Sequence, residues 1–116
     1  MRSCLLLVLA ALAAPAFAAT IPDAKGIQAA LNAAAPAKLA VAETYSRTGH
    51  WVASNDEAGF ATPTGAATIT IGQAGVITIA FDGPIITLTP TADHDQVRWA
   101  CSTTGLPTAS IPAGCH

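Results

Sequence analysis

The side chains of this 116-residue sequence that could do chemistry are few and widely spaced. Three histidines, His50, His94 and His116, stand far apart, and only His94 has acidic neighbours, Asp93 and Asp95. An Asp-His-Asp run has the donors to hold a metal or pass a proton. It has no nucleophile near it in sequence, however, and aspartate is an ordinary turn former, so the run reads as a solvated turn. His50 falls in an expected loop and His116 in the tail, so the three imidazoles are not expected to converge. Ser102, Thr103 and Thr104 follow Cys101 and read as polar filler in a loop. Six aromatic residues leave little material for a cofactor cage. No catalytic residues, no metal site and no cofactor are expected.

The cysteines are the more informative residues. Cys4 lies in an apolar N-terminal segment, and Cys101 and Cys115 lie near the other end. If the segment holding Cys4 is removed on export, an even pair remains, and oxidising compartments favour a single disulfide. The loop it closes, of about 15 residues, would stabilise the fold by about 3 kcal/mol in the chain-entropy model. Metal ligation is the weaker alternative, because only two sulfurs and scattered histidines are available.

The export expectation comes from residues 1–18. Arg2 gives a positive start, residues 5–14 are an uninterrupted apolar run, and Pro15 breaks it. Ala16-Phe17-Ala18 then supplies the small-x-small pattern that places cleavage between Ala18 and Ala19. The run is about 10 residues against roughly 20 for a bilayer span. A retained anchor would need the longer stretch 4–21, which Pro15 and its alanine content weaken. The expected organisation is therefore a signal peptide, 1–18, and one domain, 19–116. A domain of roughly 100 residues is small enough to gain from a covalent staple.

Composition narrows the function classes. With 52% hydrophobic and only 10% charged residues, the chain is too apolar to be disordered. The formal net charge is −2, and loss of Arg2 makes it more negative. A nucleic-acid groove needs clustered Lys and Arg, so DNA or RNA is not an expected partner unless Lys25, Lys38, Arg47 and Arg98 come together.

The elements that must position these residues follow from periodicity. Residues 24–35 are alanine-rich with Ile27 and Leu31 one turn apart, which predicts a helix, with Pro22 in its first turn and Thr20 as a possible cap. Pro36 predicts a kink or break at the carbonyl of Asn32. A second helical stretch, 37–46, is ended by Gly49. Residues 50–65 read as an irregular loop tucked down by Trp51 and Phe60. Beyond it the period becomes two, giving strands at 67–71, 76–81, 85–89 and 96–101, with Trp99 on the apolar face as a core residue. The connections at 72–75, 82–84 and 92–95 are short enough to permit only antiparallel pairing. Thr68, Thr70, Thr78, Thr87 and Thr89 fall on the opposite face, which suits solvent. The fold class is α+β: an N-terminal Ala-rich helix on a four-stranded antiparallel sheet, with a C-terminal disulfide loop.

Several short words in this order carry a resemblance: Thr20-Ile21-Pro22; the run from Val41 to Tyr45 followed by Gly49-His50-Trp51; Leu88-Thr89-Pro90-Thr91; Trp99-Ala100-Cys101; and Ile111-Pro112-Ala113-Gly114-Cys115 with one residue left. Together they resemble the type IV pilin family, from about Thr20 to His116. The Trp-x-Cys to Pro-x-x-Cys ending is the most specific part. The resemblance implies a pilin-like head whose C-terminal region is closed by a Cys101–Cys115 disulfide, and a protein that works by packing and display rather than catalysis. The sequence departs from the family pattern at its start, which lacks the Gly-Phe or Gly-Met cleavage pair and has no acidic residue before Asp23. Val52 also stands after Trp51, where the family usually has proline.

The expectation is thus an exported, non-enzymatic pilin-like protein of the periplasm, cell exterior or pilus. It would be a pilus component or accessory, with adhesion as a further role. Its expected partners are other pilins or pilus assembly proteins, and the membrane enters only if the N-terminal segment is retained. A soluble ligand-binding module using the Trp51–Phe60 loop or the disulfide loop is the alternative.

Overall fold

The computed structural model describes residues 22–65, 67–94 and 96–115. The expected signal segment and its Ala18–Ala19 junction, with Thr20 and His116, lie outside them. A single helix, α1 (Ala24–Thr48), is followed by a one-turn helix α2 (Asn55–Ala58). Then come strands β1 (Thr68–Ile71), β2 (Ile77–Ala80), β3 (Ile85–Asp93) and β4 (Gln96–Thr104). The strands form an antiparallel meander in the order β1-β2-β3-β4. The expected fold class is the one observed, with α1 on one face of the sheet and the C-terminus bridged to β4.

Helix α1 starts at Asp23, whose carboxylate accepts from the Gly26 N–H at 2.8 Å. Aspartate at this position satisfies one of the unpaired N–H groups of the first turn. The cap expected at Thr20 is therefore corrected to Asp23, and Pro22 precedes the cap instead of lying in the first turn. Gly49 closes the helix as expected, in the left-handed conformation (φ 78°), its N–H donating to the Tyr45 carbonyl at 2.7 Å.

Pro36 does not divide the helix into two; α1 runs through it. The reason lies in where it sits. Pro36 and Asn32 are both exposed, so the carbonyl that loses its intrahelical donor faces water. On the opposite side Ala34 and Ala37 are fully buried and hold the two turns against the sheet. Tertiary packing overrides the local cost.

The buried stripe of α1 is Ile27, Ala30, Ala34, Ala37 and Val41, a spacing of three and four residues that keeps one face inward. Small side chains let the helix axis approach a sheet whose inner face is Ile69, Ile71, Ile77, Ile79, Ile86 and Leu88. The bulk comes from the sheet and the closeness from the helix. One backbone segment enters this interface as well. Gly75 has φ 74°, and a β-carbon there would lie 3.0 Å from Val41 Cγ1 and 3.2 Å from both Pro90 Cγ and Trp51 Cε3.

All four strands differ in their limits from expectation. β1 begins at Thr68 and β2 spans Ile77–Ala80, each slightly shorter than predicted. β3 and β4 are much longer, and β3 continues through Pro90 to Asp93. β2 stops at Ile77, opposite Leu88, so beyond that point β3 is bordered on one side only. A proline is admitted where a strand has a side without a ladder neighbour. β4 extends to Thr104, so Ser102, Thr103 and Thr104 belong to a strand, paired with Thr87, Ile86 and Ile85, and not to a loop.

Candidate functional site

Asp93 and Gln96 pair at the end of the β3–β4 hairpin, and His94 sits in its turn at φ 60° with its side chain open to solvent. Asp93 Oδ2 accepts from Arg98 Nε at 2.8 Å, while His94 Nε2 lies 3.8 Å from Asp93 Oδ1. Asp95 lies outside the described residues. The acidic group is thus engaged across the hairpin with a guanidinium, which is turn-stabilising chemistry. His50 is exposed just after α1, at the other end of a separate connection. Among the described residues, no three His, Cys, Asp or Glu side chains come together.

The basic residues do not cluster on the helix. Lys25, Lys38 and Arg47 are spaced along α1, with gaps of about 20 Å and 13 Å at the helical rise. Arg98 is held by Asp93.

The loop expected to be irregular has internal order. Ser54 Oγ accepts from the Glu57 N–H at 3.1 Å, and Glu57 Oε1 accepts from the Ala53 N–H at 2.6 Å, so the two side chains cap α2 reciprocally. That turn aims Asn55 at the free edge of β1. The Asn55 amide donates to the Ile69 carbonyl at 3.1 Å and accepts from the Ile71 N–H at 2.6 Å. Thr62 donates its hydroxyl to the same Ile69 carbonyl at 2.6 Å. Ser54-x-x-Glu57 was the signal in the sequence for this turn; the role of Asn55 on β1 has no local signature. Trp51 stacks on Tyr45 with ring centroids 4.0 Å apart, and both Trp51 and Phe60 pack on the core, as expected of anchors.

Cys101 and Cys115 are joined, with Cα atoms 4.5 Å apart and a sequence separation of 14. Bonded to each other, the two sulfurs are not metal ligands, which removes the alternative. Cys115 is buried, and Leu106 and Ile111 of the bridged segment pack against the core. Beside the bridge, the segment and α1 flank a groove of about 420 Å³ that includes Leu31, Lys38, Trp99 and Pro112. Trp99 corrects the expectation that it is core. It is only half-buried, because β4 is an edge strand and α1 approaches β2 most closely. The Lys38 ammonium lies 5.7 Å from the Trp99 ring centroid, partly covering the face that the helix leaves open.

The outer face of the sheet carries the threonines. Thr70, Thr78, Thr87 and Ser102 lie in register across all four strands. Thr68, Thr70 and Thr89 are exposed and Thr78 and Thr87 half-buried, a hydroxyl surface whose charged pair, Arg98 and Asp93, sits at one end.

A family model described as pilin, a bacterial filament protein, matches residues 27–116. The matched region starts inside α1 and includes the whole sheet and the bridged C-terminus. No curated protein sequence matches the chain.

Proposed function

The chain belongs to the pilin family, and on that premise we propose that it is an exported, non-catalytic pilin-like protein that works with type IV pili as a component or accessory. Its contacts are made by the head, with other pilins or with assembly proteins, and adhesion is a further use of the displayed surface. The observation that carries this reading is the head itself. It is a helix, a meander and a bridged tail held together by apolar packing, and Asp23, Glu57, Asp93 and Arg98 are engaged in helix caps and a surface pair. Residues 1–18 serve as an export signal removed before Ala19, so the mature protein is the head. No helix among the described residues is long and apolar enough to cross a membrane.

Cross-linking of intact cells, followed by mass spectrometry of the captured chain, tests both parts. The expected result is a chain beginning at Ala19, with links from Lys25 or Lys38 to pilins or assembly proteins. Recovery in purified fibres with residues 1–18 still attached would overturn the export-signal assignment. A chain linked to no pilus protein would overturn the association.

A further inference from the structure

The groove beside the bridge is walled by separate parts of the chain. Gln28, Asn32 and Lys38 of α1 stand on one side, Trp99 of β4 and Pro112 of the bridged tail on the other, and buried Leu88 of β3 contributes to its floor. The Cys101–Cys115 bond ties the tail to β4, so the Pro112 wall is part of the folded head. The volume of about 420 Å³ is in the range of small-ligand sites. Gln28 Nε2 donates to Asn32 Oδ1 at 3.1 Å, which leaves the Gln28 oxygen to accept and the Asn32 nitrogen to donate. Among the described residues lining the groove Lys38 carries the one charge, and no described carboxylate lies within ion-pair distance of it. Asn32 and Lys38 are about 9 Å apart along the helix at the helical rise.

We propose that this groove binds an acidic saccharide, a pair of linked sugar rings of which at least one carries a carboxylate. The ligand class follows from the lining. A sugar ring has a face of C–H groups that packs on an indole, and hydroxyls that both donate and accept. The Gln28–Asn32 pair offers one acceptor and one donor to such hydroxyls. The ammonium of Lys38 selects a carboxylate through a charge-assisted hydrogen bond. It already lies 5.7 Å from the Trp99 ring centroid, and its flexible stem lets it meet a carboxylate at the rim without leaving that ring. A purely apolar ligand would leave the carboxamides and the ammonium unused, and a nucleic acid would need more than one cation. The proposal names a ligand for the adhesive use of the head and rests on that reading. A failed saccharide titration leaves any cross-links to pilus proteins standing, and a lack of those links leaves the saccharide affinity to be measured, so the two failures are distinguishable.

Calorimetric titration of the purified chain with digalacturonate, and with the neutral galactose disaccharide of the same linkage, tests this. The expected result is saturable binding of the acid, and binding of the neutral sugar weaker by about tenfold, the loss of one contact to a charged group. Lys38→Gln should abolish that preference, whereas Lys25→Gln, near the start of α1 and outside the groove, should leave it intact. Trp99→Ala should weaken both sugars alike. On the unaltered chain, amide NMR shifts caused by digalacturonate should fall at residues 28–38, 99 and 112–115, which keeps the test decisive even if the Trp99 variant fails to fold. Absence of acid binding, equal binding of the two sugars, or shifts confined to other residues would overturn the proposal. So would equal effects of Lys25→Gln and Lys38→Gln, the mark of non-specific charge attraction.

Discussion

At the β1 margin Ile69 and Ile71 are buried and the strand's outer hydrogen-bonding positions are filled by Asn55 and Thr62. At the β4 margin Val97, Trp99 and Cys101 are only partly buried, and the strand is secured in addition by a covalent bond to the C-terminal tail. Both margins belong to one sheet, yet they solve different problems. An alanine-lined helix lets the sheet's isoleucines reach it but has little side-chain bulk with which to spread sideways. β2, nearest the helix, is sealed by apolar area, β1 is also met by α2, and β4 is left partly covered. A bridge supplies there what burial cannot, as expected where a small domain runs short of core.

The sharpest way to break this comparison is to empty the packed side. Ile79 is fully buried on β2, and Ile79→Ala should cost about 2–5 kcal/mol, the transfer loss plus the cavity left beneath a helix that cannot collapse further. Val97→Ala, on the half-covered strand, should cost clearly less. Equal losses in urea unfolding would mean that β4 is as much a part of the core as β2.

Removing the bridge comes next. Cys101→Ser combined with Cys115→Ser should lower stability by about 3 kcal/mol, since the closed loop is of the length for which chain entropy gives that figure. The loss should concentrate in β4 and the tail, seen as faster amide exchange there than in β1. A double variant with an unchanged melting temperature would show that Leu106 and Ile111 alone dock the tail.

On the β1 side the corresponding test is Asn55→Ala. It leaves the Ile71 N–H without its acceptor, while the Ile69 carbonyl keeps the Thr62 hydroxyl. One stranded donor in a partly buried position costs about 1–3 kcal/mol. Asn55→Asp separates the two halves of the amide's role, because a carboxylate still accepts from Ile71 but cannot donate to Ile69. A smaller loss for Asp than for Ala, in the same unfolding assay, would identify the acceptor as the part that matters.

These differences mark what could be read in the chain before its structure. The strands announced themselves through alternation at Thr68–Ile71 and Ile77–Ala80, and the Cys101–Cys115 pair through cysteine number and the expectation of export. Local rules failed where a long-range contact outweighed them. Pro36 stays helical because Ala34 and Ala37 are pinned to the sheet, and Pro90 stays in β3 because β2 has already ended beside it. Trp99 was misplaced for a related reason: alternation reports which face a residue is on, not how far the helix reaches across that face. The plug at Asn55 joins residues 14 and 16 positions apart, a distance at which sequence pattern carries no signal.

The smallest expected effect is on the helix side of the partly covered margin. Leu39 is the large apolar residue left exposed on α1, and it lies beside Trp99 on that margin. Leu39→Ser removes an apolar surface that the folded monomer does not bury, so its effect on unfolding should stay within about 0.5 kcal/mol. Urea unfolding beside the Val97 variant measures it. A large loss of stability would instead mean that Leu39 packs on the fold more than its exposure indicates, and the contrast between a sealed and a partly covered margin would have to be redrawn.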